Sequence, residues 1–460
     1  MTDINEQIHA LNKGGIMSKI RILLAFLSFV IFFQGFDAQA QEAKDRWETA
    51  CVIRSDKFDY VLPKAMRNNN IDMWIIIDKG RGTEPLFQDF GDATSNGNGI
   101  LIFTDSGGDR IERAALYRQR NLLAKSGIYD IFGRPEDLKS FVAARNPKRI
   151  GINITTAEEL FPPVGRHLSD GLSHTGYINL KKELDEPYAS RLVSAEKLIS
   201  DFRSERVASE IVEFAKIANI TRKLEEKALS NKVITPGRTT LDDVNWWLEE
   251  QVHALGLQRG WWYGAFISLP DGTEINEQYR VIQPGDIIQI DWSTGRNNFF
   301  TDMKRFGYVL KENEIEVPPG IQNAFDESRK VRDLIQKNVR SGRTGREQLD
   351  NLKQLVAKAG YIYTEVEYAR KVKGIEVNIG MHAIGNLGHD VGAGLFERYP
   401  LRTTYKIRPN SLISVEFIVF VPAAEWGGNK IPVRIEENAL ITEHGIEWIH
   451  PPQNHILVIR

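Results

Sequence analysis

The sequence has little cysteine, no excess of either charge and few long apolar runs. Cys51 is the only cysteine in 460 residues, which excludes an internal disulfide framework and any cysteine-based metal cluster. The 59 Lys and Arg nearly cancel the 61 Asp and Glu, for a formal net charge of −2, so no basic excess marks a surface for nucleic acid or anionic membrane. Hydrophobic residues make up 42% and charged residues 26%, which excludes a disordered chain, a collagen-like repeat and a multi-span membrane protein. The apolar run at 22–33, ILLAFLSFVIFF, is too short to span a bilayer, which needs about 20 apolar residues. It follows Lys19 and Arg21 and precedes Ala38-Gln39-Ala40, a small-x-small pattern. Basic, then apolar, then small reads as a secretory signal peptide over 1–40. The mature chain is then expected to begin near Gln41, in the periplasm or outside the cell, with no stable membrane association.

At about 150 residues per domain, two or three domains are expected. From about Trp47 to Leu184, apolar strand-like runs such as MWIIID (73–78) and GILIFTD (99–105) alternate with helix-like stretches such as 111–126. This pattern predicts an α/β domain without a catalytic signature. The charged segment Leu192 to Arg206 reads as a helical link between the halves. The second half opens with two helices. Ile211, Phe214, Ala218, Leu224 and Ala228 trace one face of the first. The second starts at Thr240, capped from Asp243, carries Leu241, Val244, Leu248, Val252 and Leu255, and stops at Gly256. Two more helices are predicted at 320–340 and 346–359, and the rest from 261 onward reads as strands and turns.

The second half concentrates carboxylates in apolar strands. In DIIQIDWSTGRNNFFTDMKRFGYV (286–309), two strand-like runs flank a turn-rich STGRNN. Asp291 and Asp302 are symmetric about the middle of that turn, so a regular hairpin opposes them directly, with Cβ atoms about 5 Å apart. In LISVEFIVFVPAAEWGGNKIPVRIEENALIT (412–442), Glu416 and Glu436 are symmetric about Trp426. Alternation puts Ser414, Glu416 and Ile418 on one face and Val415, Phe417 and Val419 on the other; Arg434 shares a face with Glu436. Between the hairpins lies GHDVGAG (388–394), with His389 among glycines that let backbone approach a site closely. Facing carboxylates repel, and a bound dication reverses that repulsion. Four carboxylates and one imidazole suit two divalent ions such as Mn, Co, Fe or Zn, with Mn the first expectation.

This order of Asp, Asp eleven later, His in GHDVG, Glu in a strand and Glu in R-I-E resembles the pita-bread metallopeptidase family. Its members include methionine aminopeptidase, aminopeptidase P, prolidase and creatinase. The resemblance covers about 206–460, and the preceding α/β half resembles the creatinase-type N-terminal domain of aminopeptidase P and prolidase. It implies an α/β creatinase-like N-terminal domain over 41–205 and an α+β pita-bread catalytic domain over 206–460. It further implies that Asp291 chelates one metal, that Asp302 and Glu436 bridge both, and that His389 and Glu416 hold the second. Glu416 is implied as the proton shuttle and Arg434 as a supporting residue. A short peptide substrate, Xaa-Pro aminopeptidase- or prolidase-like cleavage and a homodimer follow from the same resemblance.

Three substrate-handling histidines usual in that family are absent. The matching positions are Gly385, Phe396 and the neighbourhood of Glu274. His382, seven before His389, is the candidate to take over one such role. Trp261, Trp262, Tyr263 and Glu397 are candidates to line a substrate pocket. Two alternatives stand beside the peptidase. One is a binding protein that kept the fold and lost turnover. The other hydrolyses a small non-peptide C–N bond as creatinase does, without metal; retention of all five ligands argues against it.

Overall fold

The computed structural model describes residues 42–79, 84, 86–91, 98–155, 169–261, 264–269, 273–398 and 400–460. The segment 1–40, expected to be a signal peptide, and Trp262 and Tyr263 lie outside them. Residues 42–56 are helical, and residues 53–460 form one compact unit that contains two sheets.

The first sheet has six strands built around Met73–Asp78. That strand pairs antiparallel with Gly99–Thr104 and parallel with Ile150–Ile152. Both apolar runs expected as strands are strands, buried on both faces. Ile75, Ile102 and Ile150 pack with Leu180 and Leu184 of helix His174–Leu184 on one face. On the other, Trp74 meets Phe90 edge-to-face at 5.3 Å and packs near Phe103 and Phe202.

Two local expectations are corrected. Residues 111–126 were expected to be helical, but Glu112–Tyr117 is a strand paired with Gly99–Thr104, and only Asn121–Ser126 is helical. Ala114 and Ala115 favour helix in isolation, yet they are fully buried in the sheet, and ladder pairing outweighs a propensity of a few tenths of a kcal/mol per residue. The supposed link likewise begins as the sheet's edge strand, Leu192–Ser194, and becomes helical only at Glu196–Ser204.

The second sheet has eleven strands. Its centre is the run Ile287–Trp292, Met303–Val309, Lys430–Ile441 and Ser411–Pro422, hydrogen-bonded in that order. Helices cover its apolar side. Helices Ala208–Ala228 and Leu241–Ala254 bury Leu224, Ala228, Leu241, Val244, Leu248 and Val252 against Ile288, Ile290 and Trp292. Thr240 caps the second of them as expected, its Oγ1 accepting from the Asp243 amide at 3.1 Å, and Gly256 leaves the helix at φ 58°. Helices Pro319–Asn338 and Gly345–Lys358 cover Val415, Phe417, Val419, Val433 and Ile435. With those residues facing helices, Glu416, Arg434 and Glu436 must point the other way, as alternation predicted.

Candidate metal centre

The two hairpins of the second sheet place their charges differently. In the second, Glu416 stands directly opposite Glu436, the register expected from symmetry about Trp426. In the first, the residue opposite Asp291 is Lys304, not Asp302. The turn explains the difference. Arg296 pairs with Phe299, so the two loop residues are Asn297 and Asn298, both left-handed at φ 53° and 65°. Opposing Asp291 to Asp302 would centre the turn between Arg296 and Asn297, one residue earlier than observed, and moving a turn centre by one residue moves every cross-strand partner by two. Asp302 remains on the same face, since a shift of two preserves the side-chain period.

Lys304 therefore joins the carboxylates. Its Nζ donates to Glu416 Oε1 at 2.7 Å and to Glu436 Oε2, and lies 3.2 Å from Asp291 Oδ2. The next strand pair adds His382, opposite Ser414. His382 Nε2 lies 3.3 Å from Glu436 Oε1, 3.5 Å from Asp302 Oδ2 and 3.6 Å from Glu416 Oε2. The His389 ring stacks on the His382 ring with centroids 4.0 Å apart, and its Nε2 is 3.2 Å from Asp302 Oδ2. All five implied ligands thus come together, and with them His382, expected among the substrate-handling groups.

Burial and crowding shape the electrostatics. Burial, reinforced by Glu436 and Glu416, pushes Asp291 up to about 7 despite Lys304. Burial and then the Glu436 and Asp291 charges hold Asp302 well above the ordinary carboxylate range. Burial also raises Glu416. Glu436 goes the other way, because Lys304 and His382 outweigh its burial. Burial opposes the charge of Lys304, but Asp291, Glu416, Glu436 and Asp302 together hold its ammonium well above the usual value. Next to the His382 ring and partly buried, His389 is held below its ordinary value.

The residues fit a metal ion. Asp302 Oδ1 and Oδ2 and His382 Nε2 are buried and have no hydrogen-bond partner among the described residues. Such orphaned atoms are costly unless something binds them. Three sets, Asp302 with His382 and His389, His382 with Glu416 and Glu436, and Asp291 with Asp302 and Glu436, each bring their ligand atoms within 4.8 Å of one another.

The glycine-rich loop is anchored by two arginines where the two halves of the sequence meet. Asp390 Oδ1 accepts from Arg203 Nη1 at 2.9 Å, and its Oδ2 accepts from Arg206 Nη2 at 2.9 Å and from the Asn386 amide at 2.9 Å. Sequence reading missed Asp390 and its two arginines; the signal was an Asp beside the metal-type His. Gly385 adopts φ 144°, and a Cβ there would meet Arg206 Nη2. A histidine at this position is therefore blocked by the guanidinium that holds Asp390. Gly388 is required for another reason, since a Cβ would run into the Trp261 ring.

A cleft of ≈ 990 Å³ opens above the cluster. Trp261 lines it, and its ring meets the His389 ring edge-to-face at 5.9 Å. Phe266, Phe396 and Ile418 give it apolar wall. Arg434 pairs with Glu274 and lies over the Phe266 ring at 5.7 Å, on the cleft wall rather than on the carboxylate cluster. Glu397 lines the cleft too, but Arg346 Nη1 at 2.6 Å and Lys353 Nζ at 2.5 Å engage its Oε1.

The model of metallopeptidase family M24 matches residues 213–443. No curated protein matches the sequence. Among solved structures, an X-Pro aminopeptidase from Thermotoga maritima superposes with a TM-score of 0.60 at 14% identity, covering 86% of this chain and 99% of its own. A dipeptidase from Mycobacterium ulcerans gives 0.58 at 15%, covering 89% and 98%. An Xaa-Pro dipeptidase from Bacillus anthracis gives 0.56 at 15%, covering 89% and 99%. At these identities the likeness is one of fold, and it extends across both sheets.

Proposed function

From the premise that the chain belongs to metallopeptidase family M24, we propose that it is an exported, divalent-metal-dependent peptidase that hydrolyses short peptides, with Xaa-Pro aminopeptidase- or prolidase-like cleavage. The observation that carries this reading is the pair of buried groups with unsatisfied atoms, Asp302 and His382, beside His389 on the floor of a cleft wide enough for a di- or tripeptide. The carboxylate-rich ligand set favours manganese. The proline preference rests on the neighbours described as Xaa-Pro enzymes, and export on the basic, apolar and small pattern of 17–40.

A bound divalent ion supplies the Lewis acidity that polarises the scissile carbonyl and makes water acidic. Glu416 is the proton carrier in this reading. Its Oε1 is held by Lys304, which leaves Oε2, on the His382 side, to accept a proton and return it to the leaving amine. Burial raises Glu416, which suits a group that must hold a proton for part of the cycle. Trp261 and Phe266 shield the cluster and contact substrate side chains. The Arg434–Glu274 pair occupies the wall where the family usually places a histidine. Arg434 is thus a substrate-orienting residue, with no part in moving the proton.

The test is a panel of dipeptides and tripeptides, with and without proline, incubated with chelator-treated protein reloaded with Mn, Co or Zn. Hydrolysis restored by metal and abolished by Glu416→Gln supports the proposal. A fully metallated protein that cleaves nothing in the panel overturns it in favour of a binding protein.

A further inference from the structure

The resemblance implies two ions, yet one of the two places already carries a cation. Among the described residues, the ion-pair partners of Lys304 are Asp291, Glu416 and Glu436. Two of these, Asp291 and Glu436, belong to the set Asp291–Asp302–Glu436. An ion held by that set would lie within a few ångström of Nζ, where like charges repel strongly in a buried site. The opposite end of the cluster has no such occupant. There His382 is 1% exposed and Asp302 is 1% exposed, with His382 Nε2 and both Asp302 carboxylate oxygens unsatisfied. The tautomer also fits: His382 Nδ1 lies 3.3 Å from the Ala383 carbonyl, and a proton donated there leaves the Nε2 lone pair aimed into the cluster.

We propose that the centre holds one divalent ion, on Asp302, His382 and His389 with Glu416 and Glu436 at its edge, and that the Lys304 ammonium permanently takes the place of the second. The inference rests on the metallopeptidase reading for the presence of an ion, and adds the number of ions and the role of two residues. His382 becomes a ligand, not a replacement for a substrate-handling histidine. The charges are consistent with this. Four carboxylates face one ammonium and one dication, a net of one negative charge, so a second dication is not needed to neutralise the site.

The test counts ions. Chelator-treated protein is dialysed against Mn(II) and analysed for metal, and the bound Mn(II) is examined by electron paramagnetic resonance. The parent should bind one ion per chain with the spectrum of an isolated Mn(II). Lys304→Thr should bind two, with the spectrum of a coupled pair. His382→Ala, folded by circular dichroism, should raise the Mn(II) dissociation constant at least about a hundredfold, the upper end for outer-shell partners of a ligand and a lower bound for a ligand itself. Zero or two ions in the parent would overturn the proposal, independently of how any variant folds. Lys304→Thr remaining at one ion would overturn the role of Lys304, and unchanged affinity in His382→Ala the role of His382. Ion counting is blind to turnover. One ion in a protein that cleaves no peptide would end the peptidase reading and leave this inference standing; two ions in an active peptidase would do the reverse.

Discussion

The two hairpins of the second sheet are built from the same ingredients and differ in their turns: a two-residue loop at Asn297-Asn298 in the first, a longer connection between Pro422 and Lys430 in the second. Both carry two acidic residues in apolar strands, and both turn one face to helices and the other to the cleft. In the second, the turn around Trp426 puts Glu416 opposite Glu436. In the first, the Asn297-Asn298 turn puts Lys304 opposite Asp291 and leaves Asp302 two residues closer to the loop on the same face. Alternation fixes which face a side chain serves, and the turn fixes whom it meets. One hairpin therefore presents two carboxylates, and the other presents two carboxylates with a cation between them and the rest.

The largest expected effect breaks the second hairpin's chemistry and spares its structure. Glu416→Gln keeps shape and hydrogen-bonding capacity but cannot cycle a proton, so peptide hydrolysis should fall by about 10²–10⁴. Metal content measured on the same sample should stay near that of the parent. Loss of both together would make Glu416 mainly a ligand.

The next breaks the first hairpin from behind. The register that aims Lys304 at the cleft aims Arg305 at the opposite face, where it lies 3.1 Å from Glu437 and 3.8 Å from Glu225, all fully buried. Arg305→Ala leaves two buried carboxylates without their cation and should cost about 3–5 kcal/mol in urea unfolding. A cost under 1 kcal/mol would mean that the register is wrong.

A buried carboxyl outside both hairpins sharpens the comparison. Glu84 accepts from Asn153 Nδ2 at 3.0 Å and from the Leu86 amide at 3.3 Å, with no ion-pair partner among the described residues, and burial raises it from 4.5 to about 7. Glu436, more deeply buried but beside Lys304, moves down. The folded chain thus keeps a proton on Glu84 that the unfolded chain releases near 4.5. Stability should fall by roughly 3 kcal/mol as pH rises from about 4.5 to 7, and then level off. Glu84→Gln should remove that slope in denaturation curves recorded across the range. The smallest effect probes the turn. Asn298→Val forces a β-branched residue into a left-handed conformation and should cost about 1–2 kcal/mol, whereas Asn298→Gly should be tolerated.

Much of this was legible beforehand. The period of two placed Glu416 and Glu436, and helical stripes with the Thr240 cap placed the layer behind them, because each signal is local. Lys304 was missed although Asn297-Asn298, a dipeptide suited to a two-residue turn, stands in the sequence and would have set the register. The Arg203–Asp390–Arg206 group was not legible at all, since its ion pairs join residues 187 and 184 positions apart. His382 stood out as a candidate, but its place among the metal-type ligands comes from pairing opposite Ser414 on another strand, which no local signal gave. In the first half, Glu112–Tyr117 deceived for a related reason: its alanines say helix, and only the neighbouring strand says sheet.

The most direct measurement is an anomalous-difference map from crystals grown with Mn(II). The account predicts one manganese peak per chain, bonded to Asp302, His382 and His389, with the Lys304 side chain still between Asp291 and Glu436. A peak bonded to Asp291, with Lys304 swung away from the carboxylates, would contradict it.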